Sequence, residues 1–189
     1  MRSAVLIEEL TQMTQQHLAA IEEILTKEES DLNWRAEEGS WSVFECIEHL
    51  NRYGDFYLPE IAKRMAKGNS RNPEIFKTGW LGDYFAKSML PKEKLNKMKT
   101  FKSMNPIGSN LNKSVVSKFK SQLEEMLQLL ETAKGIDLTL TKTGITISSW
   151  IKLRLGDTFR VVIYHNERHM QQVERVFNQH EKTLSRTSG

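Results

Sequence analysis

Tyr164-His165-Asn166-Glu167-Arg168-His169-Met170-Gln171-Gln172 is the stretch on which the reading of this chain turns. It lies in a run where Phe159, Val162, Ile163, Val173, Val176 and Phe177 recur at helical spacing. His165 and His169 are four residues apart, so on a helix they share one face, one turn apart. Two imidazoles so placed can grip one divalent metal ion. Phe159, Ile163, Met170, Val173 and Phe177 fall on one arc, and the two histidines fall at its edge. A third histidine, His49, lies in an earlier helical run, Glu45-Cys46-Ile47-Glu48-His49-Leu50, again to one side of the aliphatic stripe. If these helices pack side by side, three nitrogens converge and leave a coordination position open. An open position separates a catalytic metal site from a structural one.

Working outward, the periodicity predicts four long helices and an all-α fold. The first covers 3–27, with Leu6, Leu10, Met13, His17, Ile21 and Ile24 on its apolar face. The turn around Glu28-Glu29-Ser30-Asp31 ends it. The second covers 41–67, with Ser40 as expected N-cap, a stripe of Val43, Ile47, Leu50, Tyr57, Ile61 and Met65, and a kink expected at Pro59. The third covers 113–134 on Val115, Val116, Phe119, Leu123, Met126, Leu127 and Leu130. The fourth starts near Gly156-Asp157, with Asp157 as N-cap. Residues 136–143 alternate as a short strand or extended loop, and 150–155 reads as a short helical turn. A long irregular connection, 70–112, joins the second and third helices, with one helical piece near 82–89. So long a connection in a compact domain is expected to cross the helices or line a site. Its lysines (Lys87, Lys92, Lys94, Lys97, Lys99 and Lys102, with Glu93 the one acid among them) read first as a solvated surface, second as a rim attracting anionic ligands. Residues 1–180 are expected to form one domain and 181–189 a frayed polar tail.

Composition bounds the function. The chain has 189 residues, 39% hydrophobic and 27% charged, which suits one ordinary globular domain. A net charge of +3 is too mild to argue for nucleic acid. A single cysteine, Cys46, excludes an internal disulfide and fits a reducing compartment. No signal-peptide pattern and no membrane-spanning apolar run are seen, so a cytoplasmic protein with neither membrane nor nucleic-acid partner is expected.

The residues between the paired histidines, Asn166, Glu167 and Arg168, supply no His-Glu-x-x-His base. Glu167 and Arg168 read as surface ion-pairing residues. Glu45, one turn before His49, is the best candidate carboxylate for proton transfer; its competing roles are orienting His49 or pairing with Arg52. Cys46 is offset from His49 around the helix and reads as a small buried thiol. His17 and His180 read as packed or surface histidines outside the triad. Tyr53 reads as a packed aromatic. Trp34, Trp41, Trp80 and Trp150 read as packing residues, with Trp80 the one nearest a ligand.

Two blocks carry a resemblance. Gly39-Ser40-Trp41-Ser42-Val43-Phe44-Glu45-Cys46-Ile47-Glu48-His49-Leu50 resembles the W-S-x-x-E-x-x-x-H-L block of the DinB-like superfamily. The stretch from Thr158 to Gln172 resembles its closing H-x-x-x-H-x-x-Q block. The resemblance implies a four-helix bundle of the kind shared with thiol S-transferases. It also implies a divalent metal, zinc or nickel, on His49, His165 and His169. Members with assigned activity use low-molecular-weight thiols such as bacillithiol, mycothiol or glutathione; others are described as metal-dependent hydrolases, and dimers are common. Residues 70–143 match nothing in that pattern, and substrate choice is expected to reside there.

Three functions follow from this reading. The first is transfer of a low-molecular-weight thiol to a small-molecule electrophile at the metal. The second is metal-dependent hydrolysis, with Glu45 taking the proton. The third is a non-enzymatic metal- or ligand-binding homodimer.

Overall fold

The structure is a computed structural model that describes residues 1–68, 70–71, 73–90 and 100–187. The chain is mostly helical. Its helices are α1 (Ser3–Leu25), α2 (Glu29–Asn33), α3 (Val43–Met65), α4 (Trp80–Met89), α5 (Ser114–Ala133) and α6 (Leu155–Thr187). A single 3-10 turn, Lys102–Met104, precedes α5, and a two-stranded antiparallel sheet, β1 (Lys142–Ile145) with β2 (Ser148–Arg154), precedes α6.

α1 and α3 each pack against both α5 and α6. The buried apolar side chains form two clusters. One holds Leu6, Leu10, Ile61, Met65, Leu130, Phe159 and Ile163; the other holds Ile21, Ile24, Val43, Ile47, Val116, Phe119 and Val173. α1 and α6 pass from the first cluster to the second, and α3 and α5 pass from the second to the first. The first and last long helices therefore run one way and the middle two the other, and the α3–α5 connection spans the length of the helices. Between the clusters the interior turns polar. Thr14, His17, His49, His165 and His169 are buried at this level.

Local chemistry sets the ends of α3. Its N-cap is Ser42, not Ser40. The Ser42 hydroxyl accepts from Glu45 N–H, and the Glu45 carboxylate accepts from Ser42 N–H at 2.9 Å, a capping box. Ser40 instead closes a turn with Glu37, in which Gly39 adopts φ +83°. α3 runs as one helix past Pro59.

Residues 148–154, expected in part as a helical turn, form β2. Thr143 pairs with Leu153 and Lys142 with Arg154, turning Leu153 inward onto the core. A preceding strand with free N–H and C=O groups offers this alternating segment a ladder that a single helical turn cannot match. α6 begins directly after β2, so Asp157 lies in its first turn rather than at an N-cap. The Asp157 carboxylate accepts from Thr78 Oγ1, from Gly79 N–H at 2.8 Å and from Arg160, whose other nitrogen reaches Asp83 at 2.8 Å. This network ties α4 and the segment before it to α6. Residues 181–187, expected as part of a frayed tail, continue α6. Lys92, Lys94, Lys97 and Lys99 lie outside the described residues. Lys87 pairs with Asp83 at 2.6 Å. No helix among the described residues is long and apolar enough to cross a membrane.

Candidate metal centre

α3 carries His49 and α6 carries His165 and His169 to the same level of the molecule. Their ring nitrogens lie within 4.8 Å of one another. Ring centroids are 5.1 Å apart for His49 and His165, 4.6 Å for His49 and His169, and 4.7 Å for His165 and His169. The three residues are only 3%, 9% and 9% exposed, deeper than the core-edge position their helical arcs predict. The arc reports direction around one helix; the depth comes from neighbours that stack over the rings. Trp41 lies 4.8 Å from His49 and 5.9 Å from His169, and Tyr53 lies 5.0 Å from His49 and 4.6 Å from His165, centroid to centroid.

Two histidines have their orientation fixed by an outer partner. His49 Nδ1 is 2.7 Å from the Met104 carbonyl, and His169 Nδ1 is 3.0 Å from Gln172 Oε1. Both partners are carbonyl oxygens, which only accept, so Nδ1 carries the proton in each ring and Nε2 presents a bare lone pair. This is the tautomer that ligates through Nε2.

The electrostatics agree. Burial pulls His49 down to about 4, opposed by the Met104 carbonyl and reinforced by Arg52. Burial, then the neighbouring His49, hold His169 at about 3. Burial, then His169 and His49, keep His165 well below the usual histidine range. At neutral pH all three rings are uncharged, the form a metal ion requires.

The donor set fits a divalent ion. Two nitrogens each about 2.0–2.1 Å from a tetrahedral zinc ion stand about 3.3 Å apart. His49 Nε2 and His165 Nε2 are 3.2 Å apart. Three neutral imidazoles could therefore hold one ion, with a further position left for a ligand.

Glu45 is brought near the site in sequence but is occupied elsewhere. Its carboxylate is 1% exposed and accepts two bonds from Arg35, at 3.0 and 2.8 Å, one from Ser42 N–H and one from Gly108 N–H at 2.8 Å. Burial is the largest single effect on Glu45 and pushes its pKa up. The Arg35, Ser42 and Gly108 donors together outweigh it, and the net shift is downward. A carboxylate with four donors and a lowered pKa is a poor proton acceptor, so the arrangement gives Glu45 a structural task. Its partner is Arg35, not Arg52, which pairs with Glu48 at 3.0 Å.

Other residues also differ from expectation. His17 is buried and its Nε2 lies 2.9 Å from Glu167 Oε2, tying α1 to α6 beside the triad. Arg168 is buried rather than on the surface. Cys46 is buried, and burial pushes its thiol pKa far up, as a packed, inert thiol requires. Trp80 and Trp150 are 84% and 93% exposed, so neither packs a core. Trp34 stacks on His180 at 4.7 Å. The tryptophan beside the triad is Trp41, which follows Ser40 in the first sequence block. Arg35 and the Met104 carbonyl carried no sequence signal, because Arg35 reaches Glu45 only by the fold of the connection before α3 and the Met104 carbonyl acts through the backbone across 55 residues.

No curated protein and no solved structure gives a significant match to the chain. The family model of the DinB superfamily matches residues 6–173, a span that contains every long helix up to the residues just past the triad. The chain belongs to the DinB superfamily.

Proposed function

We propose that this protein is a divalent-metal-dependent enzyme that transfers a low-molecular-weight thiol to a small-molecule electrophile at His49, His165 and His169. The observation that carries the reading is the convergence of three neutral, buried imidazole nitrogens within 4.8 Å, on two helices inside the span that the family model matches. The directions and packing of α1, α3, α5 and α6 support reading them as a four-helix bundle with 1–180 as one domain. Zinc and nickel both suit imidazole ligands.

When bound, the ion acts as a Lewis acid that favours the deprotonated form of a thiol or water at neutral pH. The chain's own residues supply the rest. His49 and His169, fixed by Met104 and Gln172, hold their lone pairs in place before the ion arrives. Trp41 and Tyr53 wall the rings with aromatic surface, which excludes water and suits an apolar electrophile. Glu45 is committed to Arg35, and Glu167, the carboxylate beside the triad, is engaged by His17 and Gln171, which hold its pKa down. Two carboxylates already engaged by donors are poor general bases, which favours thiol transfer over hydrolysis, since a coordinated thiol needs no general base to form its nucleophile. Family membership is the ground for proposing a homodimer and a soluble low-molecular-weight cosubstrate.

The test is elemental analysis of tag-free protein beside a His165→Ala/His169→Ala variant, followed by electrophile turnover with and without added thiol. Near-stoichiometric metal, lost in the variant, and turnover that depends on thiol support the proposal. Turnover without thiol would move the assignment to a hydrolase. No metal in the wild-type protein, even after incubation with zinc or nickel, would leave a binding module.

A further inference from the structure

Glu45, His49 and Arg52 stand at positions i, i+4 and i+7 of α3, on one face of the helix. Each of them holds a different point of the segment 103–108. Arg52 Nη1 donates to the Ser103 carbonyl at 3.2 Å and to the Asn105 carbonyl at 3.0 Å. His49 Nδ1 donates to the Met104 carbonyl at 2.7 Å, between those two anchors. Glu45 accepts from Gly108 N–H at 2.8 Å, and Arg35 fixes that carboxylate from the other side. Gly108 adopts φ +75°, a conformation that favours glycine and turns the chain back toward α3. The strap leaves the 3-10 turn Lys102–Met104, whose last residue presents the carbonyl that meets His49.

A carbonyl that sets a histidine tautomer is useful only if it is itself held still. The Met104 carbonyl ends a three-residue 3-10 turn, and none of the described backbone bonds of that turn or of α3 holds it. Arg52 bonds the carbonyls on both sides of it. We propose that Arg52 is a positioning residue for the metal site: by clamping Ser103 and Asn105 it holds the Met104 carbonyl on His49 Nδ1 and so keeps the His49 Nε2 lone pair aimed at the ion. The proposal rests on the metal reading for its functional meaning, but the tautomer of His49 is a property of the metal-free protein and can be tested without it.

The experiment compares wild-type protein with Arg52→Met, Arg52→Lys, Glu48→Gln and Arg64→Ala. Met keeps the apolar stem of Arg52 and removes every donor. Lys restores a single donor. Glu48→Gln breaks the Arg52 ion pair and leaves the strap bonds in place. Arg64→Ala breaks a comparable pair on the same helix, Arg64 with Glu60, that touches no part of the strap. Zinc affinity is measured by competition with a chromophoric chelator, and nitrogen-15 NMR reads the His49 tautomer in the metal-free proteins.

Arg52→Met is expected to bind zinc about 10- to 100-fold more weakly, the range seen when an outer partner of a ligand histidine is lost. Its His49 should shift from the Nδ1–H form to a mixture. Arg52→Lys should recover part of both effects, while Glu48→Gln and Arg64→Ala should match wild type. If Arg52→Met keeps wild-type zinc affinity and an unchanged His49 tautomer, the proposal is overturned. If wild-type protein binds no zinc, the metal reading fails, and the tautomer comparison alone decides whether Arg52 positions His49. If Arg52→Met does not fold, Arg52→Lys carries the same two readouts against wild type.

Discussion

His49 Nε2 and His165 Nε2 stand 3.2 Å apart although 116 residues separate them in the chain. Water cannot fit between them, and both rings are held uncharged by burial. The Met104 carbonyl leaves His49 Nε2 bare, so without a metal His165 Nε2–H can donate to it, and a divalent ion would displace that proton and take both nitrogens.

Gln172 should matter to metal binding without touching the ion. It gives His169 Nδ1 its acceptor at 3.0 Å. Gln172→Leu keeps the size and removes the acceptor. Zinc affinity is expected to fall about 10- to 100-fold, with circular dichroism unchanged. Chelator competition checks it, and an unaltered affinity would show that His169 is oriented by packing alone.

Trp41 should report occupancy. Its ring is 4.8 Å from His49 and 5.9 Å from His169, closer to the triad than any other tryptophan contact described. Nickel, with its open d shell, quenches indole emission at such range, so titration with nickel should quench fluorescence with a 1:1 endpoint. The quenching should vanish in Trp41→Phe, although the variant still takes up nickel by elemental analysis.

Acid should weaken the fold through Glu45. Its carboxyl is held below the ordinary value of 4.5, so the unfolded chain takes up this proton at a higher pH than the folded protein does. The unfolded state then binds more protons, and stability rises with pH across that window. The contribution is complete above about pH 5 and is lost as pH falls through the lowered folded value. Glu45→Gln keeps a capping-box side chain but not the charge facing Arg35. It should cost about 1–3 kcal/mol at pH 7, less than a fully buried pair because Arg35 is 37% exposed. Urea midpoints from pH 7 to pH 3 should fall more gently for the variant than for wild type; parallel curves would remove Glu45 from the account.

Two glycines should respond differently to alanine. A Cβ on Gly82 would lie 2.4–2.5 Å from Asp157, whose carboxylate is pinned by Thr78, Gly79 and Arg160 and cannot yield. Gly82→Ala is expected to destabilise by about 1–3 kcal/mol and to loosen α4 from α6. At Gly54 the intruding group is the end of the Gln122 side chain, which can swing aside at the loss of its bonds to Asn51 and Asp55. Gly54→Ala should cost less, and helix propensity offsets part of that cost. Thermal midpoints of the two variants rank them.

The four long helices and the His165–His169 pair were legible in the sequence because both depend on short-range periodicity, while His49 was joined to them by the resemblance to the DinB-like superfamily. Leu6 to Ile24, Val43 to Met65, Val115 to Leu130 and Phe159 to Val176 recur at helical spacing, and apolar stripes bury themselves wherever the partner lies. His165 and His169 share a helix, so their four-residue spacing already fixes their proximity. Less legible were the elements whose form depends on a partner far along the chain. Residues 150–154 became a strand because 142–145 lay alongside. Ser42 displaced Ser40 as N-cap because Glu45 answers it three residues later, a capping-box spacing that Ser40 lacks.

The sequence by itself determined the helical segments and the pairing of His165 with His169, since each is written in residues at most a few turns apart. Only the tertiary structure decided how deep the histidines lie, which tautomer His49 and His169 adopt, and that Glu45 serves Arg35 and the strap rather than the metal site. Those outcomes rest on burial, on which side-chain atoms meet, and for His49 and the strap on backbone groups more than fifty residues away. Backbone atoms are the same at every position, so nothing in the order of side chains could announce that Met104 would present its carbonyl to His49.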